Sequence, residues 1–101
     1  MKEITIICNP AAGSGKALRK WKSFQTVLDN SNLTYKIFFT ERPKQATDLT
    51  ISAIKKGSRR IVSFGGDGTL NEILQGICLD THFSINDIDL VVLGAGSSND
   101  F

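Results

Sequence analysis

Short apolar runs alternate with stretches of helical periodicity along this chain. Four runs rich in β-branched and aromatic residues predict strands, and three stretches with apolar residues three and four positions apart predict helices. Because strands and helices alternate, and each strand is a nearly continuous apolar run, this order predicts a three-layer α/β fold, a parallel sheet with helices on both faces. The predicted strands span residues 3–8, 33–39, 60–64 and 88–93, and the predicted helices span residues 17–28, 45–56 and 69–78.

Each predicted strand is followed by a loop of small or polar residues. The carboxyl ends of parallel strands lie on one edge of a sheet, and α/β proteins bind their ligands at that edge. We therefore expect a binding site where the four loops meet. These loops are residues 9–16, 40–42, 65–69 and 94–99.

The most informative loop is the Gly-Gly-Asp-Gly turn at residues 65–68. Glycines allow positive φ and a close approach of the backbone to a ligand, and the N–H groups at a helix start attract anions. Because a carboxylate repels a phosphate, Asp67 indicates a divalent cation between the two. The turn therefore predicts a nucleotide site with Mg²⁺. The alternative is a structural turn in which Asp67 caps the following helix.

The loop at residues 9–16 is similar to a Walker loop but does not match it. Pro10 stands where that motif needs its first glycine, and Ala17 follows Lys16 where it needs serine or threonine. The loop can still bind phosphate through backbone N–H groups and the start of its helix. The alternative is a flexible connection between a strand and a helix.

The loop at residues 94–99 carries half of a dinucleotide-binding fingerprint. Its sixth position is Asn99, and no helix follows it in the sequence, so the Rossmann interpretation is weak. Ser97 and Asn99 have side chains able to donate hydrogen bonds to phosphate or ribose. The alternative is an ordinary turn.

Composition and charge limit the classes of protein to which this chain can belong. A length of 101 residues suits one small domain, and 41% apolar and 22% charged residues are ordinary for a soluble protein. The net charge of +2 is too weak to indicate a nucleic-acid partner. Cys8 and Cys78 lie in apolar runs, so we expect two buried free thiols and a cytoplasmic protein. No run is long enough for a signal peptide core or a membrane span.

Four sequence blocks, taken in order, resemble the diacylglycerol kinase catalytic-domain family, which holds bacterial lipid kinases, diacylglycerol kinases, and sphingosine and ceramide kinases. The Gly-Gly-Asp-Gly element alone is shared with NAD kinases and phosphofructokinases, whereas the Asn-Pro loop and the Asn-Asp-Phe ending indicate the lipid-kinase branch. The blocks are Asn9-Pro10 with Gly13, Gly15 and Lys16; Thr40-Glu41; Gly65 to Glu72; and Gly96-Ser97 with Asn99-Asp100-Phe101.

The resemblance implies an activity and a set of binding residues. Such a kinase transfers the γ-phosphoryl group of ATP to a lipid hydroxyl, and Asp67 would be its catalytic carboxylate, acting toward Mg²⁺ directly or through water. The glycine turn would wrap the triphosphate, and Thr40 and Ser97 would contact the nucleotide from two other strand ends. The nucleotide-binding residues implied are Asn9, Pro10, Ala11, Ala12, Gly13, Thr40, Gly65, Gly66, Asp67, Gly68, Thr69, Leu70, Asn71, Glu72 and Ser97.

The chain departs from the family in its last block and in its length. Gly94 replaces the usual proline, and Ser98 replaces the second glycine. Family members continue into a second, mostly β domain that is expected to carry the lipid site and the general base. We therefore expect residues 1–101 to be a truncated, phosphofructokinase/NAD-kinase-like N-terminal domain.

The partners implied are ATP and a lipid, diacylglycerol or a related one, bound through that other domain. Peripheral contact with a membrane and self-association of the fragment are further expectations, since a missing domain would leave apolar surface exposed. Two alternatives stay open at this point. One is an NAD-kinase-like enzyme, and the other is a nucleotide-binding remnant without catalysis.

Overall fold

The computed structural model describes residues 3–79 and 87–94. Its strands and helices alternate as predicted, and none of the helices in this part of the chain is long and apolar enough to cross a bilayer. Three boundaries differ from the prediction by two residues, because α1 ends later, β2 begins later and α3 begins earlier, at Asp67. The elements are β1 (Ile4–Cys8), α1 (Lys16–Asn30), β2 (Tyr35–Phe39), α2 (Gln45–Lys55), β3 (Arg60–Gly65), α3 (Asp67–Leu79) and β4 (Asp89–Gly94).

The four strands form one parallel sheet in the order β2-β1-β3-β4. Cys8, the last residue of β1, pairs in register with Phe39 of β2 and Phe64 of β3. The carboxyl ends of these three neighbouring strands therefore lie at the same level. This arrangement confirms the predicted parallel sheet and brings the loops after β1, β2 and β3 to one edge.

Helices cover both faces of the sheet. Successive side chains of a strand point to opposite faces, so Ile6 and Ile7 of β1 belong to two different cores. Helix α1 packs on the first core, and helices α2 and α3 pack on the second. The first core contains Ile6, Cys8, Ala17, Trp21, Leu28, Val62 and Phe64, and the second contains Ile7, Ala46, Ile54, Ile61, Ile73, Ile77 and Ile88.

An aromatic cluster ties α1 to the sheet. The ring of Trp21 lies 5.8 Å from that of Tyr35, 6.2 Å from Phe64, and 6.4 Å from Phe24 and Phe39. The rings are tilted or edge-on to one another, which is the geometry that aromatic quadrupoles favour. Phe39 and Phe64 directly precede two of the loops at the carboxyl edge of the sheet. The cluster therefore packs beneath these loops and stabilises them.

The two thiols have different environments. Cys8 is fully buried, and burial raises its pKa to about 11, so it stays protonated at neutral pH. Cys78 is exposed, and the prediction that it is buried was wrong. Its neighbour Ile77 faces the core, and the next residue of a helix points about 100° away. The apolar run in the sequence did not show that Ile77 is buried and its neighbour Cys78 exposed.

Ser63 lies in the middle of β3 with no exposed surface, and its hydroxyl has no hydrogen-bond partner within the residues described. A buried hydroxyl without a partner is destabilising. We expect Ser63→Ala to raise the free energy of unfolding by about 1 kcal/mol, measured by urea denaturation.

The matched control for Ser63→Ala is Thr5→Val. Thr5 is also a buried strand residue, but its Oγ1 lies 2.8 Å from the Oγ of Ser58. Removing this bonded hydroxyl should lower stability rather than raise it. Destabilisation by both substitutions would show that the Ser63 hydroxyl has a partner in solution.

Candidate functional site

A cleft of about 450 Å³ opens at the carboxyl edge of the sheet. Its walls come from the loops after β1 and β2 and from the first two turns of α3. Three of the predicted loops therefore meet at one place, whereas the fourth, after β4, lies outside the described residues. The lining residues are Asn9, Ala11, Thr40, Glu41, Arg42, Pro43, Gly68, Thr69 and Glu72.

Asn9 connects the loop after β1 to the neighbouring strand. Its backbone N–H donates to the carbonyl of Phe64, 3.0 Å away, and its Oδ1 accepts a hydrogen bond from the N–H of Ala11 at 3.1 Å. The side chain thus closes a turn on its own backbone, as asparagine often does. Because Oδ1 is used in this way, a ligand in the cleft would meet the Nδ2 amide.

The rest of this loop is a tight turn. Gly13, Ser14 and Gly15 all have left-handed backbone angles, with φ of 62°, 56° and 91°. The N–H groups of Gly15, Lys16 and Ala17 donate to carbonyls within the loop. These three donors are therefore not available for a phosphate, and binding at the start of α1 would depend on other N–H groups.

The glycines of the Gly-Gly-Asp-Gly turn are present for different reasons. None of Gly65, Gly66 and Gly68 has a positive φ, so this turn does not use the left-handed angles that glycine allows. A Cβ on Gly65 would lie 2.7 Å from Oγ1 of Thr69, so packing excludes a side chain there. A Cβ on Gly66 or Gly68 would meet no atom within 4 Å. The fold leaves open space at these two positions, as a ligand-binding backbone requires.

Asp67 lies in the first turn of α3 and is exposed. The helix begins with a bond from the N–H of Leu70 to the carbonyl of Gly66, 3.2 Å long, so Asp67 is inside the helix and not its cap. Its carboxylate has no hydrogen bond or ion pair in the described part of the chain. A negative charge in the first turn is favourable with the helix dipole. The carboxylate is nevertheless available to a cation.

The site suits a cation that takes few protein ligands. Residues 3–79 and 87–94 contain no group of three or more His, Cys, Asp or Glu side chains arranged to hold a metal. Mg²⁺ usually keeps several waters and binds one or two carboxylates together with phosphate oxygens of a substrate. The free carboxylate of Asp67, beside an anion-attracting helix start, fits that mode of binding.

The loop after β2 forms the opposite wall of the cleft. The N–H of Thr40 donates to the carbonyl of Cys8 at 2.8 Å, which holds the loop against β1. The N–H of Glu41 donates to Oε1 of Gln45, 2.6 Å away. Sequence reasoning named only Thr40 as a site residue here, and the structure adds Glu41, Arg42 and Pro43. Their place directly after a parallel strand was the available signal.

The predicted binding residues divide into three groups. Six line the cleft, eight lie in the same loops or helix turn without lining it, and Ser97 lies outside the described residues. The six are Asn9, Ala11, Thr40, Gly68, Thr69 and Glu72, and the eight are Pro10, Ala12, Gly13, Gly65, Gly66, Asp67, Leu70 and Asn71.

Comparison with known proteins shows the family. The sequence profile of the diacylglycerol kinase catalytic domain matches residues 3–101. YtlR of Bacillus subtilis (strain 168), which carries a provisional lipid kinase name, is 38% identical over 98 residues, covering 94% of this chain and 30% of the relative. A diacylglycerol kinase of Staphylococcus haemolyticus is 32% identical, covering 95% of this chain and 28% of the relative. The chain thus spans about 30% of the length of these two relatives.

Solved structures have the same fold. A Bacillus anthracis str. Sterne protein, named provisionally as a diacylglycerol kinase, superposes with a TM-score of 0.77 at 26% identity, over 99% of this chain and 34% of that one. This likeness confirms the fold class predicted from the alternation of strands and helices. The four sequence blocks, the parallel sheet and the matching profile lead to one conclusion: the chain belongs to the diacylglycerol kinase catalytic-domain family.

Proposed function

We propose that this chain is the ATP-binding portion of a lipid kinase, which transfers the γ-phosphoryl group of ATP to the hydroxyl of diacylglycerol or a related lipid. The observation that carries the proposal is the free carboxylate of Asp67 at the start of α3, beside Gly68 at the cleft. The names of the lipid and diacylglycerol kinase relatives support the reaction class.

In this proposal the chain acts by positioning and by electrostatics. Phosphoryl transfer depends mainly on holding the phosphates in line and on neutralising their charge. The start of α3 turns its N–H groups and its dipole toward the phosphates. Asp67 holds Mg²⁺, which supplies positive charge when bound. The Nδ2 amide of Asn9 and the hydroxyl of Thr40 are hydrogen-bonding groups for the nucleotide.

The acceptor side of the reaction belongs to the proposal as well. We place the lipid site and the general base in the part of the relatives that this chain does not match. A lipid acceptor implies work at a membrane surface, so we propose a cytoplasmic protein in peripheral contact with the membrane. Self-association of the isolated chain, through surface that a further domain would cover, is a related proposal.

Titration with ATP by calorimetry, with and without Mg²⁺, tests the nucleotide site in the wild-type chain and in Asp67→Asn. With Mg²⁺, loss of the carboxylate should weaken binding about tenfold, because the metal loses its protein ligand. Without Mg²⁺ the same substitution should strengthen binding, because it removes a negative charge facing the triphosphate. This reversal of sign distinguishes a metal ligand from a residue that only stabilises the helix.

Asp48→Asn is the matched control, since Asp48 is also an exposed aspartate in the first turn of a helix, but away from the cleft. It should leave ATP affinity unchanged under both conditions. Equal effects of the two substitutions would refute the role of Asp67. Saturable binding of NAD in the absence of ATP binding would favour an NAD-kinase-like protein instead.

A further inference from the structure

Helix α2 begins without a cap from a neighbouring residue in its own sequence. Lys44 occupies the capping position with a left-handed backbone, φ 68°, and its side chain makes no capping hydrogen bond. The first N–H groups of a helix have no partner within the helix, and capping side chains normally bind one of them. The start of α2 therefore needs a partner from another element.

Glu72 of α3 supplies that partner. Its Oε1 accepts a hydrogen bond from the N–H of Ala46 at 3.3 Å, and its backbone carbonyl accepts one from Oγ1 of Thr47 at 2.7 Å. Ala46 and Thr47 are buried, and Glu72 is half-buried. A carboxylate at a helix start is also favoured by the helix dipole. A single residue thus satisfies two groups in the first turn of α2.

The two helices are in direct contact beside this cap. Gly76 lies one turn after Glu72, and a Cβ there would be 2.8 Å from Cβ of Thr50 and 2.9 Å from the carbonyl oxygen of Thr47. The backbone of Gly76 therefore rests directly against Thr47 and Thr50 of α2, with no side chain of its own to absorb a shift. A displacement of α3 must move the start of α2 with it.

The start of α2 in turn holds one wall of the cleft. The N–H of Glu41 donates to Oε1 of Gln45 at 2.6 Å, and the N–H of Gln45 donates to the carbonyl of Arg42 at 3.4 Å. Glu41 and Arg42 line the cleft opposite Gly68. Contacts thus run from Glu72 through the first turn of α2 to the wall that faces the Gly-Gly-Asp-Gly turn.

We infer that Glu72 is a positioning residue, which sets the separation of the two walls of the nucleotide cleft by capping α2. It acts through Ala46 and Thr47 rather than on the triphosphate. Its carboxylate is already hydrogen-bonded, and its negative charge would repel the phosphates. The inference rests on the proposed function, because it takes ATP as the ligand of the cleft. The capping of α2 by Glu72 does not depend on that function.

The test compares Glu72→Gln with Glu72→Met in the full chain. Glutamine keeps an oxygen that can accept the Ala46 N–H, and methionine has nearly the same length without that oxygen. Two quantities are measured: hydrogen exchange at the Ala46 amide by NMR, and ATP affinity with Mg²⁺ by calorimetry. Glu72→Met should reduce both the exchange protection and the affinity about tenfold, the ratio that corresponds to about 1.4 kcal/mol, and Glu72→Gln should keep both within about twofold of wild type.

Two results would overturn the inference. Unchanged protection of Ala46 in Glu72→Met would show that Glu72 does not cap α2. A loss of ATP affinity in Glu72→Gln, with Ala46 still protected, would show that the carboxylate binds the metal or nucleotide itself. The Gln variant gives this answer even if Glu72→Met fails to fold.

A control substitution and the wild-type chain complete the design. Gln75→Ala, an exposed change on the same helix, should alter neither quantity. Failure of the wild-type chain to bind ATP would refute the proposed function. Exchange at Ala46 would still decide whether Glu72 is the cap.

Discussion

Replacing Gly68 with glutamate is expected to weaken ATP binding by about a hundredfold or more while leaving the fold intact. A Cβ at Gly68 meets no neighbouring atom, and its φ is not left-handed, so the fold accepts a side chain there. Glutamate is a better helix former than glycine, and a negative charge in the first turn of α3 is favourable with the helix dipole. The free energy of unfolding should therefore stay the same or rise slightly.

The loss of affinity has a separate cause. Gly68 lines the cleft at the helix start that we assign to the triphosphate. A glutamate side chain would occupy that space and place a negative charge against the phosphates, removing charge-assisted hydrogen bonds to the helix start. Affinity thus falls while stability is kept or slightly increased, which a general disturbance of the fold would not produce.

Gln75→Glu serves as the control for Gly68→Glu. It makes the same change of charge with no change of shape, at an exposed position two turns further along α3. Calorimetry should find ATP affinity close to wild type in this control. If Gly68→Glu also binds ATP normally, the triphosphate does not lie at the start of α3. If Gly68→Glu unfolds, the open space at this position does not exist in solution.

Replacing Trp21 with alanine is expected to lower the free energy of unfolding by about 3–5 kcal/mol. The side chain is only 3% exposed, and four aromatic rings lie around it. Its removal leaves a large cavity between α1 and the sheet. A domain of this size has about 5–15 kcal/mol of total stability, so the variant should be marginally folded or unfolded at 37 °C.

Urea denaturation followed by circular dichroism measures this effect, since Trp21 is the only tryptophan and its fluorescence is lost in the variant. Trp21→Phe is the control. It keeps one aromatic ring in the cluster and should cost much less than alanine. A loss of less than about 1 kcal/mol in Trp21→Ala would contradict the packing described for α1.

The effect of Trp21 should extend to the site. Phe39 and Phe64 contact its ring and directly precede Thr40 and Gly65, where two of the site loops begin. The aromatic cluster is thus part of the support of the cleft, although no residue of the cluster lines it.

The fold could be predicted because local patterns and global architecture agree in this chain. Four apolar runs indicated buried strands, and three periodic stretches indicated helices, since burial on one face imposes these spacings. The start of α3 was placed two residues too late because Gly-Asp-Gly has low helix propensity. The contact between Thr69 and Gly65 lies within the same strand–helix turn, and helix propensity does not describe it.

The site was predictable in part for the same reason. Parallel strands bring their carboxyl ends to one edge, so the loops at Asn9, Thr40 and Gly65 had to lie on the same edge once the sheet was assumed. The strand order that makes them neighbours came from the structure. The sequence alone could not show that the three glycines have different roles. Only the positions of the neighbouring atoms show that packing excludes a side chain at Gly65, whereas Gly66 and Gly68 face open space without an unusual φ.

By itself, the sequence determined the alternation of strands and helices, the edge of the sheet at which the site loops lie and the family, because each of these follows from local spacing or from motifs read in order. Only the tertiary structure decided that Cys78 is exposed and that Glu72 caps α2. The first depends on a rotation of one residue around a helix. The second joins residues that are 26 positions apart, and contacts over such separations are set by packing rather than by any local pattern.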